Sequence, residues 1–389
     1  MQVDARLRAI ATTFTGLEDV ASAEVTSLVG KRAEPDVSKV IVDCDMRDLV
    51  KLVLASRGIN KVFLELLSSN VNGLLEISSV VRSIDLKEVV FPDQTFAVRA
   101  IRVGNHDFTS LDIASAVGGA IIQSYLNDTG VRLKVDLRNP DVEFYAFLRD
   151  DRFTLGVNLV GRSLQKRFYR VAHLRTALPA TLAYLMVRCS GWSSDVALID
   201  PFCGSCTIPI EAGLAGLNVC PTVYRDSRDL ALTKLRTVNR EVVESVRSEL
   251  VRSERRETEL RILGSDVSSR ALEAARRNVD VSGLSEKVRL ARVDAQNFEN
   301  WPGCRELGDD ACVVTDPPFG IRSGPPDPSG FYVRAFSSIR RGLGGGTLVA
   351  VFSKQAVAMK SLEEAGWTVS ESRKVKYGHL EVLLVKATA

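Results

Sequence analysis

The second half of the chain repeats one pattern, in which a short apolar strand ends at or near an aspartate and a helix follows. The four aspartates are Asp200, Asp266, Asp294 and Asp316. Helical patterns, such as those at 268–280 and 328–343, separate the strands. Strands that alternate with helices predict a mostly parallel, doubly wound α/β sheet. Because parallel strands present their carboxyl ends at one edge, we expect the four carboxylates at the ligand-binding edge of this sheet.

The loop after the first of these strands, 201–206, is built from small residues. Gly204 and Ser205 allow backbone amides to approach a ligand closely. The chain has no GxGxxG motif, which removes the main support for a nicotinamide dinucleotide. Asp266 lies where a carboxylate can accept both ribose hydroxyls, and Asp294 where one can accept an adenine amino group. The series predicts a nucleoside-type cofactor, and the alternative is that each acid only caps a turn.

The most specific motif is Asp316-Pro317-Pro318-Phe319, which follows the apolar strand 311–315. Two prolines remove two N–H donors and fix an extended backbone, so their carbonyls act as acceptors. Asp316 and the Pro317 carbonyl can accept two N–H bonds from a planar exocyclic amine while Phe319 stacks on the attached ring. The nitrogen lone pair then becomes available to attack a sulfonium methyl group. The alternative is a rigid turn without chemistry.

The net charge of +3 conceals an uneven distribution along the chain. No acidic residue lies between Asp151 and Asp195, where Phe168 and Tyr169 stand among seven basic residues. The basic residues are Arg152, Arg162, Lys166, Arg167, Arg170, Arg175 and Arg188. Positive side chains bind phosphates and aromatic rings stack on bases, so this segment predicts a strip that faces RNA. A solvated linker is the alternative.

Other sequence features exclude several classes of protein. The longest stretch without a charged residue, Ile113–Asn127, is shorter than the about 20 residues that a membrane helix needs. The first ten residues lack the apolar segment of a secretory signal. The seven cysteines are scattered, and a single CxxC with three histidines offers no structural zinc site. We therefore expect a cytoplasmic protein with reduced thiols and no metal.

Three runs of residues carry a family resemblance: DPFCGS at 200–205, TIPIEA at 207–212 and DPPFGIR at 316–322. They resemble the THUMP-domain class I S-adenosylmethionine-dependent RNA methyltransferases, of the tRNA guanosine-N2 methyltransferase type. The resemblance covers most of the chain. It implies a Rossmann-like class I methyltransferase domain preceded by an α+β ferredoxin-like segment and a THUMP domain. The expected ranges are 1–65 for the ferredoxin-like segment, 66–161 for the THUMP domain, 162–178 for a basic linker and 179–389 for the methyltransferase domain, with a helical insertion near 218–259.

The resemblance also implies roles for individual residues. The catalytic residues would be Asp316, Pro317 and Phe319. S-adenosylmethionine would contact Asp200, Phe202, Gly204, Ser205, Thr207, Asp266, Val267, Asp294, Ala295 and Asp316. The RNA would contact Arg162, Lys166, Arg167, Arg170, Arg175 and Arg322. Two positions depart from the family, since Cys206 replaces the usual glycine and Phe319 replaces a common tyrosine. Cys206 either weakens binding of the methionine part of the cofactor or points away from it.

The resulting prediction is a monomeric enzyme that methylates the exocyclic N2 amine of a guanosine in tRNA, in the acceptor-stem region. One alternative is an adenine-N6 methyltransferase acting on RNA or DNA, because the Asp-Pro-Pro-aromatic motif serves that amine equally well. Another alternative is an RNA-binding protein that has lost catalysis, an idea motivated by Cys206.

Overall fold

The computed structural model describes residues 7–174, 177–226, 229–308, 310–318, 327–353, 355–378 and 380–389. By their contacts, these residues divide into two compact units. As far as its residues are described, the first unit comprises Met1–Thr12, Ser22–Leu164 and Thr222–Glu249. The second comprises Thr13–Ala21, Gln165–Pro221 and Leu250–Ala389. Within the described ranges, no helix has the length and apolar character needed to cross a membrane.

The first unit is built on a single sheet. Its strands are β1 (Leu7–Thr12), β2 (Ala33–Asp36), β3 (Lys39–Cys44), β4 (Lys61–Asn70), β5 (Thr95–Val103), β6 (Lys134–Val135), β7 (Val142–Arg149) and β8 (Arg152–Asn158). They are hydrogen-bonded in the order β2-β3-β1-β4-β8-β7-β5-β6. The antiparallel pair of β4 and β8 joins the N-terminal strands to the later ones. One continuous sheet therefore runs through both regions that the sequence predicts as ferredoxin-like and THUMP.

The second unit contains the predicted doubly wound sheet. Its strands are β9 (Leu198–Asp200), β10 (Ile262–Asp266), β11 (Val288–Arg292), β12 (Cys312–Thr315), β13 (Thr347–Phe352), β14 (Thr368–Tyr377) and β15 (Leu380–Thr388). Their order is β11-β10-β9-β12-β13-β15-β14, and β9 to β13 are parallel. From β9, the chain continues to β10 and β11 on one side of the sheet and then to β12 and β13 on the other, so the order reverses between β9 and β12. Ligands of open α/β sheets bind at such a switch point, outside the carboxyl ends of the strands.

Helices precede, follow or connect these strands. They are α1 (Glu18–Val29), α2 (Met46–Ala55), α3 (Leu74–Arg82), α4 (Ser110–Thr129), α5 (Ala180–Ser190), α6 (Thr207–Gly216), α7 (Arg240–Arg252), α8 (Ser269–Ser282), α9 (Pro328–Leu343) and α10 (Gln355–Glu364). Local sequence sets both ends of α8. The Ser268 hydroxyl accepts a hydrogen bond from the Ala271 N–H at its start, and Gly283 ends it with a φ of 73°.

The charged insertion near 218–259 belongs for the most part to the first unit rather than to the methyltransferase sheet. Its segment Thr222–Glu249 contacts that unit, and the Leu232 N–H donates to the Leu159 carbonyl over 2.8 Å. Apolar side chains of the insertion are buried: Leu230, Leu232, Leu235, Val243 and Val246. The burial of these side chains accounts for the placement, which differs from the expectation of an insertion within the methyltransferase domain.

Candidate active site

Asp200 ends β9 inside the protein, with 2% of its surface exposed. The Thr315 hydroxyl donates to its Oδ1 over 2.6 Å, and the Phe202 N–H donates to the same oxygen over 3.2 Å. Burial raises the pKa of Asp200 to about 7, and the negative charge of Asp266 adds to the rise. Because Thr315 ends β12, this carboxyl group ties the ends of two neighbouring strands together and shapes the start of the loop.

Asp266 ends β10 and holds the loop from the other side. Its Oδ2 accepts the Gly204 N–H over 3.1 Å, and its Oδ1 accepts the Ser268 N–H over 2.8 Å. Gly204 has a φ of 52°, in the left-handed region that favours glycine. A carboxylate has about four acceptor positions, so Asp266 keeps two for hydroxyl groups of a ligand. This geometry fits the predicted contact with a ribose.

Cys206 points into the protein. Its side chain is 0% exposed, and its φ of 69° lies in the left-handed region that favours glycine. The Sγ atom lies 3.0 Å from the position that a Cβ on Gly264 would take. A hydrogen bond with Cys206 and burial raise the pKa of the Cys203 thiol well above its usual value. The Cys206 thiol is therefore buried against Gly264 of β10, and its effect on cofactor binding stays a prediction.

Asn278 is a functional candidate that the sequence reasoning missed. From α8, its amide donates to the Ala172 and Ser205 carbonyls over 3.0 Å each. Its Oδ1 accepts the N–H groups of Val171 and Ala172 over 3.1 and 2.9 Å. The side chain is buried and uses all its hydrogen-bonding capacity to join the basic strip to the small-residue loop. The available signal was a polar residue on the otherwise apolar face of an amphipathic helix.

Thr207 begins α6 and is contacted by the basic strip. The Arg170 Nη2 donates to the Thr207 hydroxyl over 3.1 Å and also to the Leu178 carbonyl. The predicted RNA contact Arg170 is therefore partly buried and engaged at the start of the helix that follows the loop. In this arrangement its guanidinium organises the loop region.

The other predicted cofactor residues lie after β10 and β11. Val267 follows Asp266 and is 60% exposed, which leaves an apolar surface at the end of the strand. Asp294 begins a short 3-10 turn, where its Oδ1 accepts the Gln296 N–H over 2.9 Å, and Ala295 is buried. Val267 follows β10, which pairs with β9, and Asp294 follows β11, which pairs with β10. The fold thus brings the predicted cofactor residues to one edge of the sheet.

Asp316 follows β12 and contains an unsatisfied acceptor. The residue is partly exposed, but its Oδ1 atom is buried and has no hydrogen-bond partner among the residues that the structure describes. Burial and, to a smaller extent, the charge of the nearby Asp200 together raise the pKa of Asp316 to about 8. A buried acceptor without a partner favours a ligand that donates N–H or O–H groups. Pro317 is buried next to it, whereas Phe319 lies outside the described residues.

Arg167 corrects the prediction for the basic strip. Its Nε donates to Glu211 Oε1 over 2.9 Å and its Nη2 to Oε2 over 3.0 Å, while the Tyr169 hydroxyl donates to Oε1 over 2.8 Å. The Arg167 and Glu211 side chains are 1% and 0% exposed. The prediction that Arg167 contacts RNA is wrong, because its guanidinium neutralises a buried carboxylate on α6.

Some of the other side chains in the basic strip lie on the surface, and others are buried in the interior. Arg162 and Lys166 are exposed, as is Phe168, while Tyr169 is fully buried. Phe168 therefore keeps the predicted ability to stack on a base and Tyr169 does not. Arg175 and Arg322 lie outside the described residues.

Comparisons with known families match three regions of the chain. Residues 167–383 match the family described as RMKL-like, methyltransferase domain. Residues 73–158 match the THUMP domain, and residues 8–63 match the RlmL ferredoxin-like domain. The matches occur in the order that the sequence resemblance implies.

Individual relatives are similar over nearly the whole chain. A tRNA (guanine(6)-N2)-methyltransferase of Archaeoglobus fulgidus is 33% identical over 382 residues, which cover 96% of this chain and 90% of that protein. One of the same name from Methanocaldococcus jannaschii is 28% identical over 376 residues, 95% of this chain and 96% of that protein. The crystal structure of SMU.472 complexed with SAH has a TM-score of 0.86 at 22% identity, and covers 99% of this chain and 98% of that one.

Proposed function

Because the chain belongs to the RMKL-like methyltransferase family, we propose that it methylates the N2 amine of a guanosine in the acceptor stem of tRNA. The unsatisfied buried acceptor of Asp316, within an Asp-Pro-Pro motif at the switch point of the sheet, carries this proposal. The names of the two relatives support the substrate, since they specify guanine 6 of tRNA. Position 6 belongs to the acceptor stem in standard tRNA numbering.

The residues at the sheet edge fit S-adenosylmethionine, the cofactor of this enzyme class. When bound, it supplies an electrophilic methyl group on a sulfonium centre. Asp266 offers its two remaining acceptor positions to the ribose hydroxyls, and Asp294 can accept an adenine amino group. Gly204 leaves the loop backbone accessible, because among the described residues a Cβ there would meet only Leu174, at 3.7 Å. The inward orientation of Cys206 removes the steric argument for a protein that has lost catalysis.

Asp316 acts on the amine. Its Oδ1 and the Pro317 carbonyl accept the two N–H groups and so fix the plane of the guanine. The N–H bond donated to Oδ1 favours the charged carboxylate, so substrate binding lowers the raised pKa of Asp316. When the nitrogen takes the methyl group, the carbon–sulfur bond would break and its electron pair would stay on sulfur as a neutral thioether. The methylated nitrogen must lose a proton, and the Asp316 carboxylate can take it. Asp316 therefore first orients the amine and then accepts the proton that the methylated nitrogen releases.

Exposed side chains of the basic strip support a substrate with phosphates. Arg162 and Lys166 are exposed and can neutralise backbone phosphates, while Phe168 can stack on an unpaired base. These contacts place the RNA but do not select the methylated atom.

Methyl transfer to tRNA transcripts tests the proposal. The wild type, Asp316→Ala and Asp195→Asn should be compared with labelled S-adenosylmethionine. Asp195 is a matched control because it is exposed and hydrogen-bonds to Ser193 at the start of the segment that leads into β9. We expect Asp316→Ala to lose the activity and Asp195→Asn to keep it. Equal rates for wild type and Asp316→Ala would overturn the assignment.

Digestion of the product to nucleosides identifies the methylated atom. N2-methylguanosine in an acceptor-stem fragment is the expected product. N6-methyladenosine would support the alternative that shares the Asp-Pro-Pro motif, and N2-methylguanosine elsewhere in the tRNA would refute the acceptor-stem location. Calorimetric titration with S-adenosylmethionine should give a binding heat, whereas no heat would support an RNA-binding protein without catalysis.

A further inference from the structure

The Pro318 carbonyl has a dedicated donor in the tyrosine of α9. The Tyr332 hydroxyl donates to it over 2.8 Å, and the side chain of Tyr332 is almost fully buried, at 4% exposed. The bond therefore lies in a protected environment, where competition from water is weak. Pro318 is the second proline of the Asp-Pro-Pro motif.

The tyrosine ring has little freedom to move. It packs edge-on against Phe352 at a centroid distance of 5.3 Å and contacts Phe336 and Phe331 at 6.3 and 5.9 Å. The helix that carries it is capped, since the Asp327 carboxylate accepts the Gly330 N–H over 3.0 Å. The hydroxyl is thus presented from a rigid element, as a positioning group requires.

The Asp-Pro-Pro segment needs an external support of this kind. Neither proline has an N–H group, so their carbonyls are the backbone groups through which this stretch can be held. Tyr332 occupies the Pro318 carbonyl, while the Asp316 Oδ1 has no hydrogen-bond partner within the described part of the chain. Burial and the charge of Asp316 raise the pKa of Tyr332 to about 12, so its hydroxyl remains a donor at neutral pH.

We propose that Tyr332 is a positioning residue for methyl transfer, which holds the Asp-Pro-Pro segment so that the Asp316 Oδ1 and the Pro317 carbonyl face the amine. This inference rests on the proposed function, because it assigns the two acceptors to a substrate amine. Tyr332 acts through Pro318 and does not touch the substrate. Loss of its hydroxyl should disturb the reacting geometry more than the affinity for either substrate.

Tyr332→Phe removes the hydroxyl and keeps the ring. Tyr125→Phe is the matched control, because Tyr125 is also a buried side chain on a helix. Its hydroxyl donates to the Val90 backbone carbonyl over 3.1 Å in the first unit. At saturating tRNA and S-adenosylmethionine, we expect the single-turnover rate to fall about tenfold in Tyr332→Phe, as small misplacements of reacting groups produce. Dissociation constants for both ligands should stay within twofold of the wild type. Tyr125→Phe should keep the wild-type rate.

Amide hydrogen exchange supplies a second readout that needs no substrate. In Tyr332→Phe, exchange should become faster in peptides covering 311–318 and stay unchanged in those covering 200–210. A rate within twofold of the wild type, unchanged exchange at 311–318, or a rate loss that follows an equal loss of cofactor affinity would overturn the inference. If the wild type methylated no tRNA guanosine but exchange changed as expected, the proposed function would fail and the anchoring of the segment would stand.

Discussion

Replacement of Arg167 by methionine should strongly destabilise the second unit, because it would leave the Glu211 carboxylate buried without its cation. Both side chains are almost completely inaccessible to water, and Glu211 accepts two N–H bonds from Arg167 and one O–H bond from Tyr169. Because methionine retains much of the side-chain volume, the free-energy cost of the lost charge should exceed that of a cavity. Removal of one partner from a buried ion pair costs about 3–5 kcal/mol.

Tryptophan fluorescence during urea unfolding can measure this loss. The three tryptophans, Trp192, Trp301 and Trp367, all belong to the second unit, so their signal reports its unfolding. With a slope of about 2–3 kcal/mol per molar urea, the midpoint should fall by about 1–2 M. Lys360→Ala is the control, because its ion pair with Glu364 is exposed and contributes at most about 0.5 kcal/mol.

A double variant separates the charge effect from other causes. Arg167→Met combined with Glu211→Leu should be more stable than Arg167→Met alone, since no carboxylate is then left unpaired in the interior. The reasoning would be refuted if Arg167→Met unfolded at the wild-type midpoint but bound tRNA more weakly. In that case the guanidinium would face the RNA.

Three further predictions concern the site. The value of kcat/KM should rise with pH toward about 8, the raised pKa of Asp316, because the amine needs the ionised carboxylate. The free energy of unfolding should change in the opposite direction. Because the folded protein holds the Asp316 proton more tightly than the unfolded chain, the stabilising contribution is complete below about pH 4 and is lost as the pH rises through about 8. Asn278→Asp should weaken S-adenosylmethionine binding about tenfold by calorimetry, because it removes two donated bonds, one of them to Ser205. Gly264→Ala should lower the free energy of unfolding by about 1–3 kcal/mol in urea titrations, because the new methyl group crowds Cys206.

Each of these predictions has a control. Asp316→Asn should abolish the rise of kcat/KM and flatten the dependence of stability on pH, and an unchanged stability profile would contradict the assigned pKa. Asn239→Asp should leave cofactor affinity unchanged, since the side chain of that exposed residue accepts the Glu241 N–H near the start of α7. Adding Cys206→Gly should restore part of the stability of Gly264→Ala. No recovery would argue against the inward orientation of the Cys206 thiol.

The fold of the methyltransferase sheet could be predicted because its signals are local. Most of the five parallel strands are short apolar runs, and an aspartate at or after four of them marks the carboxyl end. Family matches confirm the predicted methyltransferase class, with its ferredoxin-like and THUMP domains. The individual cofactor contacts and the acceptor-stem location stay predictions.

The sheet of the first unit was less accessible to prediction. Its strands β1 and β4 lie side by side in the sheet, and the apolar pattern of the sequence predicts neither. In β1, Arg8 is exposed within a run that is otherwise mostly buried, so its residues do not alternate. The pairing of β4 with β8 joins Phe63 to Asn158, a contact far apart along the chain. Local periodicity contains no information on such a partner.

By itself, the sequence determined the order of strands, acids and prolines, and therefore the class of chemistry at the sheet edge. Only the tertiary structure decided which charged and polar side chains are buried and hold the segments at that edge in place. Arg167 is buried because Glu211, 44 positions away in sequence, meets it in the interior. Asn278 and Tyr332 act on segments that they reach only after folding. The burial of a polar group depends on its partners in space, which spacing along the chain does not specify.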